Sequence, residues 1–211
     1  MPYPYSLQIP DLVERAHELA RALGFPLMPE GRPVGQPAPT TATTPMDGAL
    51  LRNLAAARPG GLIGEIGTGP GVGTAWLVSG MAASTKLVSC DIEETLVASV
   101  RQMFANYPNV EILCGDWIEV LAPLGPFDLL FFDANAHAVL SSPGGWSRTI
   151  DCLKIGGQVV MDDLVPVELW PDSWKSMTDH KREFSLANEQ LAGVEVRTSA
   201  TTVSLVATRM K

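Results

Sequence analysis

The sequence predicts an α/β fold: a seven-stranded, mostly parallel sheet with helices on both faces and a C-terminal antiparallel hairpin. Between residues 62 and 161 five short apolar runs alternate with stretches of helical periodicity. Repeated βα units of this kind imply parallel neighbours with helices over both faces. The last two apolar runs, Val194–Ser199 and Thr202–Thr208, are joined by a very short turn, which requires antiparallel pairing.

Taken in chain order, Asp11 to Leu23 carries Leu12, Ala16, Leu19 and Leu23 at helical spacing and stops at Gly24, giving a short amphipathic docking helix. Prolines at 26, 29, 33, 37, 39 and 45 then forbid regular structure, since each fixes φ and removes a donor. That stretch reads either as a linker or as a strap across a ligand cleft. Residues 1–45 are thus set apart as an N-terminal helix and Pro-rich strap, and 46–211 as the domain proper. Helix resumes over Asp47–Ala57. Strands are predicted at Leu62–Ile66, Leu87–Asp91, Val110–Cys114, Phe127–Phe132 and Gln158–Met161, with helices near 72–82, 93–105, 116–121 and 146–153.

A length of 211 residues with 46% hydrophobic residues suits one α/β domain with an extension. The formal net charge of −8 repels polyanions, so nucleic acid is disfavoured as a partner. Three cysteines, Cys90, Cys114 and Cys152, form neither a disulfide framework nor a CxxC pair, and a reducing cytoplasmic setting is expected. The N-terminus lacks the charged start and apolar core of a leader. No run approaches about 18 uninterrupted apolar residues, so no membrane association is expected.

Residues 62–76 read LIGEIGTGPGVGTAW, an apolar strand entering a glycine-dense loop and leaving as a helix. Glycines let the backbone approach a ligand closely, and a helix N-terminus offers unpaired N–H groups to an electron-rich one. The dinucleotide fingerprint G-x-G-x-x-G fails in both registers, because Val72 and Thr74 stand where its third glycine belongs. A nicotinamide-dependent dehydrogenase is disfavoured for that reason. What fits is E-x-G-x-G-x-G, spanning Glu65, Gly67, Thr68, Gly69 and Gly71, and here the chain resembles the class I S-adenosylmethionine-dependent methyltransferases, whose sheet is Rossmann-like.

Ligands of open α/β sheets bind beyond the carboxyl ends of the strands, and acids stand at almost every such end. Asp91 closes the second strand, 24 positions after Gly67, where a carboxylate can accept both hydroxyls of a ribose. Asp116 follows the third strand in CGDW and can serve as a helix N-cap. In similar methyltransferases this Asp faces the adenine amino group, and Trp117 or Ile92 could cover the ring. Asp133 ends the fourth strand in FDLLFFDAN, and Asp162 and Asp163 end the fifth in GGQVVMDDL. Adjacent strand ends lie about 5 Å apart. Three carboxylates so placed repel one another unless a cation sits among them, and an all-oxygen set suits Mg²⁺, Ca²⁺ or Mn²⁺.

As an ordered set, EIGTG, CDI, CGDW, FDLLFFDA and GGQVVMDD resemble the cation-dependent O-methyltransferases, the group related to catechol and caffeoyl-coenzyme A O-methyltransferases. The resemblance runs from about Thr43 onward. It implies S-adenosylmethionine as cofactor, with Thr43, Asp47, Glu65 and the loop glycines near its methionine half and Asp91 at its ribose. It implies a divalent cation, Mg²⁺ first, held by Asp133, Asp162 and Asp163, with Asp133 at the reacting centre. It further implies a small, aromatic hydroxyl acceptor and a homodimer.

The chain departs from that pattern twice. Asp163 stands where the family has Asn, and an added carboxylate still ligates. Ala136 stands where the family has Lys as general base; His137 is the nearest replacement in sequence, as a base or as a plain polar loop residue. The acceptor pocket is expected from Leu164–His180 and the strap. Trp146, Trp170 and Trp174 are candidates either for flat walls or for core and contact positions. Two alternatives stay open beside the O-methyltransferase reading: a tRNA hydroxyl methyltransferase of the same fold, and a non-catalytic S-adenosylmethionine-binding protein.

Overall fold

The computed structural model describes residues 6–27 and 41–211. Most of the proposed Pro-rich strap, residues 28–40, therefore lies outside the described residues. Helix α1 (Asp11–Ala22) buries Val13, Ala16 and Ala20, whose small side chains let it lie close against α3 (Val72–Gly80). Helix α2 (Pro45–Ala56) starts where Thr44 accepts from the Asp47 N–H and Pro45 occupies the first turn, the position at which a missing donor costs nothing. Its Gly48 lies flat on the indole of Trp76.

The sheet has the order β3-β2-β1-β4-β5-β7-β6. Strands β1 (Leu62–Ile66), β2 (Lys86–Asp91), β3 (Val110–Cys114) and β4 (Phe127–Phe132) are mutually parallel and match the expected positions to within a residue. Strand β5 (Leu153–Leu164) is three times as long as predicted, because its first residues pair with Phe127 before a register shift. Strands β6 (Leu191–Arg197) and β7 (Val203–Arg209) form the antiparallel hairpin, and β7 lies inside it against β5. That inner position explains why β7 is buried over Val203–Val206 while β6, at the edge, is mostly exposed.

Helices α4 (Glu94–Met103), α5 (Trp117–Val120) and α7 (Gly145–Asp151) match the remaining helical expectations with trimmed ends. Two helices were not legible in advance: α6 (Ala136–Ser141) and α8 (His180–Ala187). Helix α6 is only six residues long, and α8 is eight residues that open on four polar ones, His180–Glu183, so neither offers enough length to show a helical period. Among the described residues no helix is long and apolar enough to cross a membrane.

Candidate functional site

Strand order fixes the site. The chain reverses direction in the sheet between β1 and β4, and the crevice above that switch point is where α/β sheets bind ligands. A cavity of about 600 Å³ opens there. One end is walled by the glycine loop, Thr41–Thr43, Asp91 and Ile92; the other by Asp133–His137, Asp163 and Lys181.

The glycine loop takes its shape from β1 and α3. Gly67 has φ +97°, and a Cβ there would stand 2.8 Å from the Ala134 side chain, so the crossing of the β1 and β4 turns requires glycine. Gly71, at φ +83°, faces Val100 and Met103 of α4 rather than the cavity. The Gly69 N–H donates to Asp91 Oδ2 at 2.8 Å and the Glu93 N–H to Asp91 Oδ1 at 3.0 Å, which sets the carboxylate at the cavity wall. Thr68 shares a 2.6 Å hydrogen bond with Ser89 and also lines the wall.

Glu65 is fully buried behind the loop. Its Oε2 accepts from the Thr74 hydroxyl at 2.5 Å, while Oε1 has no hydrogen-bond partner among the described residues. A Cβ on cavity-lining Gly73 would stand 2.6 Å from that oxygen and 3.1 Å from Thr43 Oγ1. Only the missing side chain at 73 separates Glu65 from the cavity. Burial pushes the Glu65 carboxyl up to about 8, with Asp133 and Asp91 adding to the rise. Thr41 Oγ1, also buried and without a partner among the described residues, lies on the same wall. Two such orphaned oxygens fit a ligand that brings its own donors, as an amino-acid ammonium does.

At the far end, Asp133, Asp162 and Asp163 each place one oxygen within 4.8 Å of the others. Consecutive strand residues ordinarily point to opposite faces. Here a register shift between Met161 and Leu164, with Asp163 at φ +64°, brings both carboxylates of β5 to one side. Asn135, at φ +45°, turns the chain out of β4 on the opposite flank. Burial, reinforced by Asp163, raises Asp133 to about 7, and burial together with Asp133 and Asp163 raises Asp162 as well. Asp162 Oδ1 is buried with no hydrogen-bond partner among the described residues. An orphaned oxygen in an all-oxygen cluster fits a hard divalent cation.

The sequence-based candidates sort as follows. Thr43, Gly67, Thr68, Gly69, Asp91, Ile92, Asp133, His137 and Asp163 all line the one cavity. Glu65 and Asp162 lie just behind its wall. Asp47 is buried with its carboxylate taken by the Thr44 and Ser204 hydroxyls, each at 2.5 Å. Asp116 Oδ1 accepts from the Ile118 N–H at 2.8 Å, the N-cap arrangement, and does not line the cavity. Trp117 packs in the core with its ring 5.5 Å from that of Phe132, leaving Ile92 as the residue at the rim.

None of the three tryptophans that were candidates for acceptor walls or for core positions lines the cavity. Trp146 packs on Phe184, and Trp170 lies between Trp174 and the Arg182 guanidinium. The cavity instead takes Phe25, Leu96 and Lys181, which sequence reasoning missed. Lys181 reaches it from α8, whose Nζ donates to the Asp162 carbonyl at 2.8 Å. Phe25 comes from the short segment after α1, where only the prolines gave a signal.

A parallel sheet closed by an antiparallel hairpin, with a glycine loop and strand-end acids around one cavity, resembles the architecture of the class I S-adenosylmethionine-dependent methyltransferases. Comparisons with known proteins agree. Residues 65–164 match a family profile described as "Methyltransferase domain". A Mycobacterium tuberculosis protein named "Probable O-methyltransferase" is 35% identical over 126 residues, 57% of this chain. The match covers 55% of that protein, so the chain spans about half the length of the curated relatives it resembles. Among solved structures, an O-methyltransferase from Bacillus cereus in complex with S-adenosylhomocysteine superimposes with a TM-score of 0.73 at 19% identity, covering 96% of this chain and 92% of the other. The O-methyltransferase TomG from Streptomyces achromogenes, solved with S-adenosylmethionine, gives 0.71 at 20% identity over 97% and 92%. At these identities the two structures establish the shared fold.

Proposed function

We propose that this protein transfers a methyl group from S-adenosylmethionine to a hydroxyl oxygen of a small, aromatic acceptor, assisted by a divalent cation at Asp133, Asp162 and Asp163. The observation that carries the reading is the single cavity joining the glycine loop and Asp91 at one end to the acidic cluster at the other. When bound, the cofactor would supply an activated methyl, transferred to the acceptor oxygen with the carbon–sulfur electron pair left on sulfur, and the cation would lower the pKa of the hydroxyl beside it.

The chain's residues supply placement. Glu65, behind Gly73, and Thr41 offer acceptors to the cofactor ammonium, and Asp91 offers its carboxylate to the ribose. Ile92 and Leu96 give apolar cover at the same end. His137, on the wall beside Asn135 with its ring 4.9 Å from that of His180, takes the acceptor's hydroxyl proton. In-line positioning of oxygen and methyl is then the main remaining task. The three free cysteines fit a reducing cytoplasm, and the family resemblance favours a homodimer.

Calorimetry with S-adenosylhomocysteine, followed by transfer of labelled methyl to a panel of catechols and flavonoids with Mg²⁺ or with EDTA, tests the reading. Cofactor binding with Mg²⁺-dependent methylation supports it. Binding without any methylation favours a non-catalytic cofactor-binding protein.

A further inference from the structure

The acid end of the cavity is lined by a lysine that no local sequence pattern announces. Among the described residues lining the cavity, Lys181 is the one Lys or Arg. Its ammonium has three donors. One goes to the Asp162 main-chain carbonyl at 2.8 Å. Its charge is felt by both Asp133 and Asp162, since it opposes the rise that burial imposes on each carboxyl. The tether is to a backbone oxygen of β5, and it holds the ammonium at the cavity wall.

We propose that Lys181 is an acceptor-binding residue: tethered to the Asp162 carbonyl, its ammonium holds the acceptor's ionised oxygen beside the acidic cluster. Rich in carboxylates, that end of the cavity would repel an oxyanion, and a fixed ammonium at the same wall offsets the repulsion through a charge-assisted hydrogen bond. The substrate class follows from the chemistry. A hydroxyl that ionises readily, such as a phenol or an enol, gains from this partner far more than an alkyl alcohol does. The inference rests on the proposed methyl-transfer reading of the same cavity and adds the group that selects the acceptor's ionisation state.

The test uses 4-nitrocatechol, whose ionised form absorbs visible light, titrated into the full chain in the presence of S-adenosylhomocysteine and Mg²⁺. The native protein is expected to bind the ionised probe and lower its apparent pKa, with about one unit of the shift, a tenfold preference for the anion, coming from Lys181. Mg²⁺ shifts the probe in native protein and variant alike, so Lys181 is read from the difference: Lys181→Met should show an apparent pKa about one unit above the native one and about tenfold weaker affinity for the ionised probe, while Lys181→Arg stays near the native values. S-adenosylhomocysteine binding and the unfolding temperature, measured on each variant, establish that the fold and the cofactor end are intact. Lys181→Met shifting the probe as the native protein does overturns the proposal, as does a native protein that binds S-adenosylhomocysteine but not the probe. Failure to bind S-adenosylhomocysteine at all overturns the methyl-transfer reading instead.

Discussion

Thr74 donates its hydroxyl to one oxygen of Glu65 at 2.5 Å, and the other oxygen of Glu65 has no hydrogen-bond partner among the described residues. A buried carboxyl held in this half-satisfied state prefers its proton, which is why burial raises it from 4.5 to about 8. The native state therefore holds more protons than the unfolded chain between those two values. Stability is whole below pH 4.5 and is lost as pH rises through about 8, at up to about 1.4 kcal/mol per pH unit from this group. Melting temperatures of the ligand-free protein from pH 5 to 8 should fall more steeply for the native chain than for Glu65→Gln. Parallel curves would show that Glu65 titrates normally.

The acidic cluster makes a second expectation. Mg²⁺, Ca²⁺ or Mn²⁺ at about a hundredfold its dissociation constant should raise the unfolding temperature by about 5–10 °C, from about 2.7 kcal/mol of linkage in a chain of this size. Asp162→Asn, which replaces one oxygen ligand by an amide, should reduce the rise sharply. Differential scanning fluorimetry with and without EDTA reads both, and an unchanged melting curve in every metal would argue against a cation site.

Asp116 separates two roles that the sequence left open. Its carboxylate caps α5 and lies off the cavity wall. Asp116→Ala should cost about 1 kcal/mol of stability, as an N-cap does, and leave S-adenosylhomocysteine affinity within about twofold. A loss of tenfold or more in calorimetry would restore the adenine contact.

Gly48 tests the packing beneath the site. Alanine in place of an exposed helical glycine gains about 1 kcal/mol. At Gly48, however, a Cβ would stand 2.2–2.3 Å from Trp76 ring atoms. Overpacking of that kind costs about 1–3 kcal/mol, so Gly48→Ala should destabilise despite its better propensity. Urea denaturation gives the sign directly.

The parallel strands were legible because their two-sided burial leaves continuous apolar runs such as FDLLFF, and the acids that follow those runs mark the strand ends by composition alone. The glycine loop, Asp91 and the three aspartates were found for that reason. Lys181 was not, since it reaches the cavity from a short helix that opens on polar residues, and only the fold brings α8 to β5. The tryptophans were open between flat walls and core or contact positions, and packing decides: Trp146 packs on Phe184 and Trp170 on Trp174 and Arg182. Asp47 is engaged by Ser204, 157 positions away, a pairing no local pattern announces.

That last contact has a bearing on how the protein is made. Strand β7 is synthesised after β6 yet sits inside it, and Ser204 on β7 supplies a donor to Asp47 on α2. On the ribosome, the parallel strands can collapse early, but β5 keeps an open edge until β7 emerges to occupy it. Closure of so long a loop is slow, and an uncovered strand edge in the meantime is a template for intermolecular pairing. Interrupting translation before residue 203 should therefore leave nascent chains that aggregate instead of simply lacking a hairpin.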